Sequence, residues 1–307
     1  MKVAITGANG FIGRHLCPAL ESYGVEVVRV VRKPMPGALA IGSIDGSTDW
    51  AAAVHGADAV IHLAARTHIL KETEADPPVV FRAVNTEGTI NLARQAAHAG
   101  VRRFIFISSI HIHGLQSGSK PFTVRDELRP HDAYSVSKKE AEQGLWKIAR
   151  ATGMEAVVIR PPLVYGPGVG ANFLRLMKLA GSGVPLPLAS VKNRRSLVYV
   201  GNLCDLIRTC LADPRAAGQT FLVSDDQDVS TAELLRLLAR AMNKKARLFR
   251  FPESLLRLAG RLTGRSAQID RLCGSLSVDI SHTKETLGWK PPISLEEGIR
   301  RCVGDKG

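Results

Sequence analysis

The stretch Lys2-Val3-Ala4-Ile5-Thr6-Gly7-Ala8-Asn9-Gly10-Phe11-Ile12-Gly13 decides how the rest of the chain is read. It begins as a buried strand, passes through a glycine-punctuated turn and continues as a helix. Gly7 lets the chain turn off the strand, Gly10 lets the backbone come close to a pyrophosphate, and Gly13 lets the helix lie against the sheet. The free N–H groups and positive dipole end of that helix then face the anion, and Asn9, Phe11 and Ile12 belong to the same turn. Three glycines at Gly-x-x-Gly-x-x-Gly spacing also suit a plain strand–turn–helix joint. Position decides for the cradle: a first half that alternates strand and helix follows, and a second candidate site comes later.

Residues 25–31 read as a second parallel strand after a helix over 11–23. In dinucleotide-binding folds an acidic residue at the end of that strand takes the ribose hydroxyls, but here the position falls on Val31, followed by Arg32 and Lys33. Two cations without a carboxylate suit a 2′-phosphate, so the reading favours NADP(H) over NAD(H), with Ser43 and Ile44 flanking the adenine. A third strand, 58–65, ends in Leu63, Ala64 and Ala65, which would let a cofactor lie close above it. His62 reads as a packed core histidine rather than a catalyst.

The polar segment up to residue 78 reads as irregular, and 79–99 has helical spacing. Asn85 lies inside that helix. A buried amide needs partners, so Asn85 is expected to bond the backbone of a neighbouring strand or an active-site water. The fourth strand, 103–109, is a continuous apolar run ending in Ser108 and Ser109, as expected of a sheet covered on both faces. Open parallel sheets bind ligands beyond the carboxyl ends of their strands, which puts both serines where chemistry occurs. A helix beginning at Asp132-Ala133 carries Tyr134 and Lys138 on one face. The fifth strand, 155–159, runs into Arg160-Pro161.

Beyond that point the pattern loosens. A helix over 172–180, a strand over 196–200 and helices near 202–212, 230–242, 253–262 and 282–287 indicate a smaller domain interleaved with the first. The expected division is a dinucleotide-binding domain over 1–163, onto which 195–225 packs back, and a substrate-binding domain over 164–307. Residues 255–272 have an arginine-lined face with apolar residues opposite. A membrane-surface helix fits this, but a helix covering the substrate domain's core is preferred.

Composition narrows the classes. Of 307 residues, 45% are hydrophobic and 22% charged, an ordinary globular balance, with a net charge of +13 that favours acidic partners. The basic residues are scattered and not interleaved with aromatics, which argues against nucleic acid and for a phosphorylated small molecule. Cys17, Cys204, Cys210, Cys273 and Cys302 form no Cys-x-x-Cys pair and no ligand pattern, so they are expected to be reduced, buried thiols with no metal site. The first strand leaves no room for a signal peptide and no apolar run spans a bilayer; a cytoplasmic protein is expected.

Chemistry converges on one constellation. A tyrosine hydroxyl has a reference pKa of about 10 and is a poor acid–base catalyst at neutral pH unless a cation favours the phenolate. Lys138 is expected to supply that charge and to bond a nicotinamide ribose. With Ser109 holding a carbonyl or hydroxyl oxygen, Tyr134 would exchange a proton with it as a hydride crosses to or from the adjacent carbon.

These motifs, together with His62-Leu63-Ala64-Ala65, Asn85-Thr86-Glu87-Gly88-Thr89, the run from Arg160 through Pro161 to Gly168, and Leu287-Gly288-Trp289-Lys290-Pro291, resemble in order the extended short-chain dehydrogenase/reductases of the nucleotide-sugar epimerase, dehydratase and reductase group. The resemblance covers essentially the whole chain. It implies a Rossmann-type doubly wound α/β fold with a smaller C-terminal domain. It also implies a catalytic triad of Ser109, Tyr134 and Lys138, Pro161 beside the cofactor, and a homodimer paired through the helices that hold Asn85 and Tyr134. It further implies a nucleoside-diphosphate sugar contacted by Ser108, Ser109, His113, Asn172, Arg195 and Arg271. Three departures bear on the sugar: Gly201 where many relatives have aspartate, Leu163 where many have asparagine, and His113 where epimerases often have tyrosine. The favoured activity is NADPH-dependent 4-ketoreduction of a UDP-4-keto-6-deoxy-N-acetylhexosamine for surface polysaccharide. A UDP-sugar 4-epimerase with tightly held NAD is the alternative. A non-catalytic NADP(H)-binding protein is a third reading, opposed by the presence of both Tyr134 and Lys138.

Overall fold

Five apolar runs that the sequence marks as strands lie side by side at the centre of the molecule, in a computed structural model that describes residues 1–67 and 77–304. β1 (Lys2–Thr6) leads through the glycine turn into α1 (Phe11–Glu21). β2 (Glu26–Val31), a two-residue β3 (Leu39–Ala40), α2 (Ala51–Val54) and β4 (Ala59–His62) follow. A continuous helical segment comprises α3 (Pro77–Phe81), a π-helical turn (Arg82–Glu87) and α4 (Gly88–His98). Then come β5 (Arg103–Ile107), α5 (Ala133–Thr152), β6 (Glu155–Arg160), β7 (Leu163–Tyr165) and α6 (Ala171–Gly181). The remainder is β8 (Leu197–Tyr199), α7 (Val200–Ala212), β9 (Thr220–Leu222), α8 (Thr231–Ala241), α9 (Glu253–Leu262), α10 (Ser266–Cys273), α11 (Ser281–Leu287) and α12 (Leu295–Val303).

The main sheet is parallel throughout, in the order β3-β2-β1-β4-β5-β6-β9. This is the doubly wound α/β fold expected from the sequence. Every residue of β4 and β5 is buried, which is why these runs are apolar without alternation. The pleat still sorts them. Ile5, Ile61, Ile105 and Val157 point to a core shared with Leu16 and Leu20 of α1 and Leu203 and Ile207 of α7. Ala4, Val60, Phe104 and Val158 point to the opposite core, against Leu92 of α4 and Leu145 of α5. Strand order reverses between β1 and β4, so the crevice outside their carboxyl ends is the natural ligand site.

Several expectations are corrected. The strand expected at 196–200 is the three-residue β8, and it pairs with β7 in a separate two-stranded sheet. The large sheet is completed by β9, a Thr-Phe-Leu run too short to announce itself by pattern. The single helix expected over 79–99 contains a π turn at 82–87, where Thr86 Oγ1 donates to the Ser137 carbonyl on α5 at 2.9 Å. Part of the irregular segment expected before residue 78 lies outside the described residues. α9 does not simply cover the core: Leu256 and Gly260 are buried, but Leu255, Leu258 and Leu262 are exposed.

Candidate active site

The glycine turn is built so that its backbone, not its side chains, meets what lies above it. Gly7 sits at φ +68°, and a Cβ there would lie 2.9 Å from the Ala64 nitrogen at the end of β4. A Cβ on Gly13 would fall on the carbonyl oxygens of Gly7 and Ala8, while the Gly10 N–H closes the turn onto the Gly7 carbonyl at 2.9 Å. α1 has no side-chain N-cap and no acidic residue in its first turn. Its positive end is therefore uncompensated by the chain, which fits the diphosphate of a nicotinamide dinucleotide. Arg32 and Lys33 are exposed just past β2. Ser43 and Ile44 lie in the loop after β3, where the Ser43 carbonyl accepts from Thr48 Oγ1 at 2.9 Å and Ile44 packs beside Gly88.

Below the turn, a chain of hydrogen bonds ties β1, β4 and α4 together. Thr89 Oγ1 donates to the Asn85 carbonyl at 2.6 Å, so it accepts from His62 Nε2 at 3.0 Å. The other ring nitrogen, Nδ1, then accepts from Thr6 Oγ1 at 2.6 Å, and Thr6 Oγ1 accepts the Ala64 N–H at 3.2 Å. Donor and acceptor counts thus fix His62 as the neutral Nε2–H tautomer. The ring is fully buried and stacked on Phe106, and burial, with the nearby Lys138 charge adding, pulls it down to about 3. Asn85 is buried as well. Its amide exchanges two bonds with the Arg66 backbone, at 2.8 and 3.0 Å, and donates to Ser137 Oγ at 3.0 Å.

Beyond β5 the chain brings Ser109, Tyr134 and Lys138 together. Asp132 caps α5 reciprocally with Ser135, accepting its N–H at 2.7 Å and placing Tyr134 in the first turn. The Tyr134 phenol is hydrogen-bonded to the Ser109 hydroxyl, and its ring meets Phe81 edge-on at 6.3 Å. Lys138, one turn on, buries its ammonium 4.2 Å from the Phe106 ring centre and donates to the Ile107 carbonyl at 2.7 Å. The expected electrostatics are reversed. Burial pushes Tyr134 up to about 12 against the Ser109 hydrogen bond, and burial pulls Lys138 down to about 7 despite Glu142. The chain by itself thus does not make the phenol more acidic.

Ser108 and His113 flank this group. The Ser108 N–H bonds the Ile159 carbonyl at 2.8 Å, and its buried hydroxyl has no hydrogen-bond partner among the described residues. The Pro161 carbonyl accepts from Ile110 at 3.0 Å and so holds the loop after Ser109. His113 Nε2 meets Arg160 Nη1 at 3.0 Å, and Arg160 grips Glu142 through two bonds of 3.0 and 2.6 Å. All three are buried. The sequence reading gives Arg160 no role of its own and does not name Glu142, although Glu142 follows Lys138 by one helical turn and so faces the same way.

The residues expected at the sugar diphosphate are more dispersed. Arg195 is held in strand-like pairing to Val229 and Leu276, and its Nη1 donates to the backbone carbonyls of Arg271 and Gly274 at 2.8 and 3.2 Å. The Arg271 side chain is exposed on α10. Asn172 stands in the first turn of α6, and its side chain lies outside the described residues. Among the described residues no cluster of three His, Cys, Asp or Glu side chains could hold a metal ion. All five cysteines are buried and free.

Comparison with known proteins places the chain in a family. Residues 3–224 match the model of the NAD dependent epimerase/dehydratase family. The chain is 47% identical to the UDP-glucose 4-epimerase of Vibrio cholerae, over 98% of this chain and 94% of that protein. It is 26% identical to the N-acetyl-alpha-D-glucosaminyl-diphospho-ditrans,octacis-undecaprenol 4-epimerase of Escherichia coli O157:H7, again over 98% and 94%. In fold it resembles the UDP-glucuronic acid 4-epimerase from Bacillus cereus, solved with NAD, at a TM-score of 0.78 and 22% identity over 99% of this chain and 97% of that one. The chain therefore belongs to the NAD dependent epimerase/dehydratase family and is an enzyme of the short-chain dehydrogenase/reductase type.

Proposed function

We propose that this enzyme is a UDP-sugar 4-epimerase. The observation that carries the reading is the Tyr134 phenol bonded to the Ser109 hydroxyl just beyond β5, beside the strand-order reversal at β1 and β4. Near-complete alignment with a UDP-glucose 4-epimerase at 47% identity supports the same substrate class and favours epimerisation over the ketoreduction preferred from sequence. A bound nicotinamide would supply a hydride acceptor and donor. The residues that would hold it are Gly7, Gly10 and Gly13 at the diphosphate and Tyr134 and Lys138 at the ribose. Ser109 orients the C4 oxygen, and Tyr134 takes its proton in one half-reaction and returns it in the other. Arg195 is assigned to the substrate diphosphate, and pairing through α4 and α5 to the homodimer.

The 4-ketoreductase reading is kept as second because Arg32 and Lys33 stand exposed past β2, with no carboxylate at the strand's end to bind a 2′-hydroxyl. The experiment separating them is direct. Pure enzyme incubated with UDP-glucose or UDP-N-acetylglucosamine, without added cofactor, should interconvert the C4 epimers, and Tyr134→Phe should slow this by about 10²–10⁴-fold. Stoichiometric NADPH oxidation by a UDP-4-keto sugar, with no epimer interconversion, would overturn the proposal in favour of the reductase.

A further inference from the structure

α9 packs by one apolar line and leaves a second open. Leu256 and Gly260 face inward, and the Gly260 backbone lies directly against Ile269 of α10. Leu255, Leu258 and Leu262 stand outward at 47, 49 and 80% exposure. At 3.6 residues per turn these three share one arc, turned away from Leu256. Phe249, 45% exposed, stands on the segment leading into the helix.

The sequence around this line is cationic. Between residues 244 and 271 the chain has eight Lys or Arg residues and two acids. Both acids are already engaged by Arg257, which bonds Glu253 at 2.8 Å and Asp270 at 2.6 Å. Lys244, Lys245, Arg247, Arg250, Arg261 and Arg265 are all exposed. An open leucine line with a cationic rim is the composition of a helix that lies in the plane of a membrane surface.

We propose that α9 docks this enzyme onto an anionic phospholipid bilayer, its leucines resting at the acyl boundary and its arginines on headgroup phosphates. The occupant follows from complementarity. A nucleic acid would satisfy the cations but would meet aliphatic side chains that offer bases no stacking platform. A second copy across a twofold axis would bring this cationic rim against itself. A bilayer matches both features. Docking is peripheral, since no described helix is long and apolar enough to cross a membrane.

Co-sedimentation of the full chain with phosphatidylcholine vesicles, with and without phosphatidylglycerol, tests this independently of turnover. Binding is expected only with phosphatidylglycerol and should weaken as salt is raised. Arg261→Gln and Arg265→Gln should each lower the partition coefficient about fivefold, and Leu258→Asp should lower it at least about tenfold. Soluble UDP-sugar turnover should be unchanged in all three, which also reports intact folding. Absence of binding to phosphatidylglycerol vesicles would overturn the proposal, as would equal binding by Leu258→Asp. A dimer converted to monomer by Leu258→Asp in light scattering would assign the face to a second copy instead.

Discussion

Replacing His62 by leucine should produce a stability difference that vanishes on acidification. In the wild type, His62 Nε2–H and Nδ1 bridge Thr89 and Thr6, and the ring is held at about 3, below the ordinary histidine value of about 6.5. A histidine depressed in this way contributes its full stability above pH 6.5 and loses it as pH falls toward 3, because the unfolded chain takes up a proton that the folded one refuses. Each pH unit in that window removes about 1.4 kcal/mol, so the wild type forfeits about 2 kcal/mol from this residue by pH 5. His62→Leu abolishes the titration but leaves the Thr6 hydroxyl without its acceptor and the Thr89 oxygen without its donor. At pH 7.5 that loss, partly offset by a well-buried aliphatic group, should destabilise by about 2 kcal/mol. The two effects cross near pH 5. Urea unfolding of both proteins at pH 7.5, 6.5, 5.5 and 5, with m-values checked for constancy, reads the difference directly. A gap that stays constant across this range would refute the neutral, buried histidine on which the reasoning rests.

Three other outcomes follow from the same geometry. Gly7→Ala must hold a left-handed φ of +68° with its Cβ 2.9 Å from the Ala64 nitrogen; the backbone alone costs roughly 1–2 kcal/mol, and calorimetry should show at least this loss together with weakened dinucleotide binding. Arg160→Met leaves the Glu142 carboxylate buried without its partner and should cost about 3–5 kcal/mol in chemical denaturation, whereas Glu142→Leu combined with Arg160→Met should recover most of it. His113→Phe removes the acceptor of Arg160 Nη1 and should destabilise by about 1–3 kcal/mol; a smaller loss in His113→Tyr would show that a hydroxyl can serve the same arginine.

Legibility in the sequence followed burial closely. β1, β4 and β5 were readable because both of their faces are covered, leaving unbroken apolar runs of a length no loop would carry. β9 was not, since three residues hold no period; its place beside β6 comes from tertiary pairing that local pattern does not encode. The π turn at 82–87 was equally hidden, because apolar spacing over 79–99 is nearly the same with one residue more per turn, and what marks it is the contact of Thr86 with α5. At the site, residue identities and spacing pointed to Ser109, Tyr134 and Lys138, and these side chains do lie together. The direction expected for Tyr134 differs from the one in the structure, for a physical reason. A lysine one turn from a tyrosine suggests Coulombic help, but burial of the same helix face penalises both charged forms, and burial is the larger effect for each. Exposure is what a sequence states least well, and α9 shows it in the opposite sense, with leucines that read as core standing in solvent.

The resemblance sets His113 where epimerases often have tyrosine, and the neighbours of His113 show what the imidazole does there. Arginine only donates, so Arg160 Nη1 requires Nε2 to be a bare acceptor, and the proton of a neutral ring must sit on Nδ1. Burial and the adjacent guanidinium together pull the ring down to about 4, which keeps it neutral throughout the physiological range. A tyrosine hydroxyl accepts and donates at one oxygen; this imidazole divides the two roles between opposite sides of the ring, with acceptance spent on Arg160 and donation left to Nδ1. That nitrogen is buried without a partner among the described residues, as is the Ser108 hydroxyl on the same loop. The substitution therefore preserves the arginine's acceptor while moving the donor to a new position. An imidazole with these roles offers a ring N–H where a tyrosine would offer a hydroxyl.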